Sequence, residues 1–217
     1  MDPLPVASQK PVFFSFSAER WYNAISFSAL RAQRFITIGE ETAMKEKINA
    51  FDYAEQLNKA LLQGILLNTN GDKFNTMVIG WGHLGTLWNL PTYTVYVRQS
   101  RYTKLQLDKT GEFTISAPVS GRLDREVFSI CGTRSGRDID KEKAANLTLV
   151  DADEIHTPGI REYPLTLECR VLYQQDQDPD RIPEEIRKRF YGNGKDAEDF
   201  HTAYVGEIVS AYIIRED

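Results

Sequence analysis

Cysteine is nearly absent from this chain. Cys131 and Cys169 are the only two, and they form no Cys-x-x-Cys pair, so neither a disulfide framework nor a zinc ribbon is available. A reduced, cytoplasmic protein is the expectation. Histidine is scarce as well: His83, His156 and His201 stand far apart and lack the short spacing of a zinc ligand set. No Gly-x-Ser-x-Gly elbow presents Ser120, Ser129 or Ser135 as a nucleophile. Apolar runs fall well short of the ~20 residues that cross a bilayer. The chain does not open with a charged segment followed by an apolar core, so no secretory signal is expected. Basic runs with interleaved aromatics are also missing. The formal net charge of −5 disfavours general nucleic-acid binding, which needs a basic face.

What is present is enough for one domain with a substantial core: 217 residues, 41% of them hydrophobic. Residues 1–49 read as an extension of unassigned role that packs on the rest or on a partner. Within it Pro11 to Phe16 is strand-like, Ala18 to Gln33 has helical apolar spacing, and Arg34 to Ile38 alternates like a short strand. Residues 50–217 carry the domain. Asn49 suits a helix N-cap, Phe51, Ala54, Leu57 and Leu61 share a helical face, and Gly64 suits its stop. Ile65 to Thr69 is a strand, and Asn70-Gly71-Asp72 is a hairpin turn. A turn at Leu90-Pro91 leads into the strand Thr92 to Val97. Helices are expected over Arg101 to Lys109, Arg122 to Cys131 and Pro183 to Tyr191. Strands are expected over Glu112 to Ala117, Pro164 to Gln175 and His201 to Ile214. In the Pro164 to Gln175 strand, Leu165, Leu167, Cys169, Val171 and Tyr173 alternate with polar residues. Many strands, short helices and no βαβ alternation point to a mainly β fold, an antiparallel barrel whose closure removes exposed edges.

One stretch organises this reading: Phe74-Asn75-Thr76-Met77-Val78-Ile79-Gly80-Trp81-Gly82, continuing to Trp88. It begins as a strand and then breaks into glycine and tryptophan. Glycine packs nothing, yet it lets another backbone or a flat ligand come close. A barrel corner and a ring-binding strand end both fit that pattern. Gly80 to Gly85 also matches Gly-x-Gly-x-x-Gly, but no helix of a βαβ unit follows, so a dinucleotide-binding turn is set aside. Two later stretches add chemistry. Val95 to Thr103 ends a strand with Arg98, Arg101, Tyr102 and Thr103, a ready phosphate site at a helix start. Cys131 to Asp138 is a polar glycine loop, followed by Lys141. Arg134, Arg137 and Asp138 suit a solvated loop, Cys131 a packing residue, and His201 a structural hydrogen-bonder near the barrel end.

Taken in order, Asn75-Thr76-Met77 with Gly80-Trp81-Gly82, then Arg98 with Arg101-Tyr102-Thr103, then Cys131-Gly132 with Ser135-Gly136-Arg137-Asp138 resembles the flavin reductase-like, flavoredoxin-type family of FMN-binding split barrels. The resemblance runs from about Phe51 to the C-terminus. It implies a Greek-key antiparallel split barrel and a homodimer with FMN near the interface. It also implies electrons entering from NADH or NADPH and leaving to a second flavin, ferric iron or a protein. By the same resemblance Asn75, Thr76, Met77, Val78, Ile79, Gly80, Trp81 and Gly82 line the flavin ring. Arg98, Arg101, Tyr102 and Thr103 hold its phosphate and tail, and Ser135, Gly136 and Lys141 cover the site. No side chain takes a catalytic proton. Where the family commonly carries Thr and a small residue after the Met, this chain has Val78-Ile79, which removes a hydroxyl from the flavin edge. The alternative within the same resemblance is an FMN-binding electron carrier without NAD(P)H turnover of its own.

Overall fold

A computed structural model describes residues 44–194 and 197–215. The strands expected at 11–16 and 34–38 and the helix at 18–33 lie outside the described residues. The first described strand, β1 (Met44–Lys47), is followed by a 3-10 turn, Ala50–Tyr53, and helix α1, Ala54–Gln63. The Asn49 side chain accepts from the Phe51 N–H, so the expected cap forms. α1 buries Leu57, Ala60 and Leu61, while Phe51 stays exposed. Strands β2 (Ile65–Asn70) and β3 (Phe74–Ile79) make the expected hairpin, with Leu67 opposite Met77 and Asn68 opposite Thr76.

Strand β4 (Gly82–Leu87) turns back into β5 (Leu90–Arg98). The turn is Trp88-Asn89, both at positive φ (50° and 61°), not Leu90-Pro91. Such two-residue turns match the twist of the flanking strands. Pro91 instead sits inside the hairpin opposite Thr86. Then come α2 (Tyr102–Thr110), β6 (Glu112–Ala117), α3 (Arg125–Thr133) and the short α4 (Lys141–Ala144). A small pair, β7 (Leu149–Val150) with β8 (Gly159–Ile160), precedes the long β9 (Leu165–Asp176). Helix α5 (Glu184–Tyr191) and β10 (His201–Arg215) complete the chain.

The main sheet is antiparallel in the order β3-β2-β6-β9-β10-β5-β4, with β1 paired to the far end of β10. Its two edge strands, β3 and β4, are neighbours in sequence and are separated only by Gly80-Trp81. The sheet is therefore a barrel with a seam, and the seam is where the chain breaks into glycine and tryptophan. Ile65, Leu67, Val95, Val97, Phe113 and Ile115 are fully buried in the core.

The alternation expected along β9 is not kept: all five residues from Leu165 to Cys169 are buried, Thr166 and Glu168 included, and from Arg170 onward the strand is mostly exposed. Pairing with β10 shifts register between Val171 and Tyr173. A bulge of this kind adds a residue and turns the following side chains over, and Tyr173 stands exposed. Among the described residues, no helix is long and apolar enough to cross a membrane.

Candidate functional site

At the seam lies an open cleft of about 200 Å³. One wall is the end of β3 and its continuation, Met77 through Trp81. The other comes from Tyr96 and Arg98 of β5, His201 at the start of β10, Arg101 before α2, and Gly132 near the end of α3. Met77, Val78, Ile79, Gly80, Trp81, Arg98 and Arg101 thus meet as the sequence suggested. Tyr96, Gly132 and His201 join them from strands and a helix distant in sequence.

Asn75, Thr76, Gly82, Tyr102, Thr103, Ser135, Gly136 and Lys141 do not line this cleft. Several of them form its backing. The buried Asn75 amide donates to Thr103 Oγ1 at 2.9 Å and to Thr69 Oγ1 at 3.3 Å, which ties β3 to the first turn of α2. Its carbonyl oxygen and the Thr76 hydroxyl are buried and make no hydrogen bond among the described residues. Lys141 is only 4% exposed. Its ammonium donates to the backbone carbonyls of Thr76 (2.7 Å) and Cys131 (3.0 Å), joining β3 to α3. Burial lowers its pKa to about 8, and the Arg101 charge pushes the same way. Desolvation penalises the charged form of any buried group.

The loop between α3 and α4 is folded onto itself and onto Tyr102. Ser135 accepts from the Asp138 and Ile139 N–H groups through its carbonyl and from the Arg137 N–H through its hydroxyl. Arg137 donates to the Ser100 carbonyl and lies 5.5 Å from the Tyr102 ring centroid. Cys131 is buried in a packed cluster with Leu123, Val127 and Tyr163. Burial raises its thiol to about 11, which is an inert packing cysteine and not a nucleophile.

Arg98 and Arg101, three residues apart, are used differently. Arg98 donates to the carbonyls of Asp199 (2.9 Å) and Phe190 (3.1 Å) and lies over the Tyr191 ring. It ties α5 and the segment after it to the cleft wall. Arg101 stands immediately before the first turn of α2, where backbone N–H groups and the helix dipole favour an anion.

The mouth is aromatic. Trp81 lies 4.7 Å from His201 and meets Phe190 edge-on at 5.3 Å. The Tyr191 hydroxyl lies 2.9 Å from Gln177 Oε1 and 2.8 Å from His201 Nδ1, which holds the imidazole between α5 and the start of β10. His201 is therefore the structural hydrogen-bonder expected, and it also forms part of the cleft wall.

The two glycines around Trp81 serve different ends. A Cβ on Gly82 would meet the Thr94 carbonyl oxygen at 2.6 Å, so the close approach of β5 demands glycine there. Among the described residues, a Cβ on Gly80 would find nothing nearer than the Leu61 carbonyl at 3.7 Å, so their packing does not demand glycine there.

Comparison with known proteins decides the family. A model described as "Flavin reductase like domain" matches residues 61–217. The chain belongs to this family. It is similar to an uncharacterized protein of Archaeoglobus fulgidus, 30% identical over 58% of this chain and 67% of that one. An uncharacterized protein of Pyrococcus abyssi is 28% identical over 70% and 73%. Among solved structures, flavoredoxin from Methanosarcina acetivorans superposes with a TM-score of 0.51 at 29% identity, over 70% of this chain and 68% of that one. An FMN-binding domain of a flavin reductase-like enzyme from Shewanella baltica gives 0.55 at 15% identity, over 81% and 80%. The latter shows a shared fold alone. Together they place this flavin reductase-like chain among the FMN-binding split barrels, mainly β with short helices.

Proposed function

We propose that this flavin reductase-like protein holds FMN at the barrel seam and works as an oxidoreductase, accepting electrons from NADH or NADPH and passing them to a second flavin, ferric iron or a protein. The observation that carries this reading is the open backbone of Gly80 facing a cleft whose far end is Arg101 at a helix start. The residues present fit the group. The glycine gives a flat ring close access to backbone, Met77 and Trp81 offer apolar and aromatic surface, and Arg101 with the α2 N-terminus suits a phosphate. Two buried polar side-chain atoms of β3, Asn75 Oδ1 and Thr76 Oγ1, have no hydrogen-bond partner among the described residues. Bound FMN supplies redox chemistry that no side chain here offers. The protein's share is to fix the ring's plane and to keep its phosphate at Arg101. We assign Asn75, Tyr102, Thr103, Ser135 and Gly136 to backing and closure, not to ring contact.

Residues 50–217 are read as the flavin-binding unit, and 1–49 as an extension beyond it, although β1 at its end pairs with β10. A homodimer in the cytoplasm is the setting we favour. Exposed Trp88, Leu172 and Tyr173 offer apolar surface for a partner copy, and both cysteines are free and buried. A second reading, FMN carrier without nicotinamide turnover, draws on the mouth itself: Trp81 and Phe190 narrow the face a nicotinamide ring must reach. Anaerobic mixing of the FMN-loaded protein with NADH and with NADPH tests the choice. Bleaching of the flavin band with either one supports the oxidoreductase; no bleaching with both, but bleaching by a partner reductase, supports the carrier.

Gly80→Val is expected to leave the melting temperature within a few degrees of wild type, because its Cβ meets no close neighbour, and to weaken FMN binding by at least about tenfold, or about 1.4 kcal/mol. Thermal melts and FMN titration of the same preparation check both halves. A variant that binds like wild type moves the ring off Gly80.

A further inference from the structure

Helix α5 adds little to the core. Of its residues only Tyr191 is buried, while Glu184, Glu185, Ile186, Lys188 and Arg189 stand exposed. Its last turn is nevertheless fastened to the cleft. Arg98, on the cleft wall, donates to the Phe190 carbonyl at 3.1 Å and to the Asp199 carbonyl beyond the helix at 2.9 Å. The Tyr191 hydroxyl lies 2.8 Å from Nδ1 of His201, a second wall residue. What this fastening delivers to the site is one ring. Phe190 does not itself line the cleft, but it meets Trp81, which does, with planes at 84° and centroids 5.3 Å apart. Edge-on contact of this kind is the favoured aromatic pairing. The Arg189 guanidinium stands 5.0 Å from the Phe190 centroid and steadies that ring from another side. Trp81 also meets His201 at 4.7 Å. Because Trp81 stands between two glycines, its chain neighbours offer no side chain to hold the indole, and these two rings place it.

We propose that Phe190 is a positioning residue of the flavin cleft: its ring edge props the Trp81 indole against His201 and so fixes the wall beside Gly80. This rests on the FMN reading above and adds to that site a residue that stands outside the cleft. The direction of its effect follows from where it stands. Phe190 lies behind Trp81 as seen from the cleft, so the space freed by truncating it is on the far side of the indole. Trp81 then relaxes outward, and the cleft widens at its ring end. The loss is felt by the flavin ring and not by its phosphate, so it falls on FMN and riboflavin alike.

The test begins with acrylamide quenching of tryptophan fluorescence in the flavin-free full chain. The signal of Trp81 is isolated by subtracting the same chain carrying Trp81→Phe. The indole is 39% exposed, so Phe190→Ala is expected to raise its quenching about twofold as the edge-on partner is lost. Phe190→Tyr keeps the ring edge and should quench like wild type. Titration with FMN and with riboflavin follows. Phe190→Ala should weaken both by the same factor, about twofold to tenfold, the worth of one aromatic pair, and Phe190→Tyr should restore both. Thermal melts report whether the alanine variant holds its fold; if it does not, Phe190→Leu, which keeps apolar bulk without the ring edge, carries the same expectations. Trp81 quenching that is unchanged in Phe190→Ala, or raised as much in Phe190→Tyr, overturns the inference and leaves the FMN reading intact. So does a loss of affinity confined to FMN, or raised quenching with both flavin affinities unchanged. Absence of FMN binding in wild type overturns the FMN reading and this inference with it.

Discussion

Gly136→Ala is expected to weaken FMN binding by at least about tenfold and to lower stability by about 1–3 kcal/mol, the usual range for overpacking a filled site. A Cβ at this position would stand 2.1 Å from Asn75 Oδ1 and 3.1 Å from a Tyr102 ring carbon. Asn75 cannot swing aside cheaply, since its amide is held by Thr103 and Thr69 in a buried setting. Either the loop between α3 and α4 lifts from the barrel, or the tie between β3 and α2 breaks. Both disturb the position of Arg101 relative to the ring-facing strand. Gly85→Ala is the matched control, because its Cβ would meet only ordinary contacts at 3.7 Å and 3.9 Å. Denaturant unfolding and FMN titration of the two variants give the comparison. A Gly136→Ala protein as stable and as tight-binding as Gly85→Ala would show that the loop does not brace the site.

Arg101→Ala should raise the FMN dissociation constant about tenfold to a hundredfold. A charge-assisted hydrogen bond to phosphate is worth about 1.5–3 kcal/mol, and 1.4 kcal/mol is tenfold in affinity. Riboflavin affinity should stay close to wild type, because the lost partner is the phosphate. Lys59→Ala, which removes an exposed lysine paired with Glu55, should change neither. Arg98→Ala is a different case: its guanidinium serves the carbonyls of Phe190 and Asp199, so its loss should loosen the α5 segment. Equal losses of FMN and riboflavin affinity in Arg101→Ala would move the phosphate elsewhere.

The contrast between these arginines explains much of what the sequence could and could not disclose. Arg98 ends β5 and Arg101 stands three residues on with the same chemistry, so spacing alone gave them one role. Arg98 is engaged by the carbonyls of Phe190 and Asp199, 92 and 101 positions later, which spacing could not foresee. Gly80 and Gly82 are a second such pair, identical in sequence and separated only by how closely β5 approaches each one. Local signals read well where the physics is local. The Asn70-Gly71-Asp72 hairpin, the Asn49 cap and the breaking of β3 at Gly80 all appear where propensity and turn chemistry put them. Pro91 misled because proline usually marks turns, yet here the positive φ angles of Trp88 and Asn89 take that place. Tyr173 misled because alternation cannot foresee a bulge. Tyr96, Gly132 and His201 reach the cleft by strand order and helix packing, which no short window contains. Lys141 was legible as a member of the site, but its burial and its two carbonyl partners were not.

In the function proposed, the seam cleft binds FMN through ring access at Gly80 and a phosphate at Arg101. Titrating FMN and riboflavin into the purified, flavin-free chain at pH 7 tests it most directly. Saturable binding of one FMN per chain, at least about tenfold tighter than riboflavin, is the predicted result. No saturable FMN binding, or equal affinity for the two flavins, would contradict it.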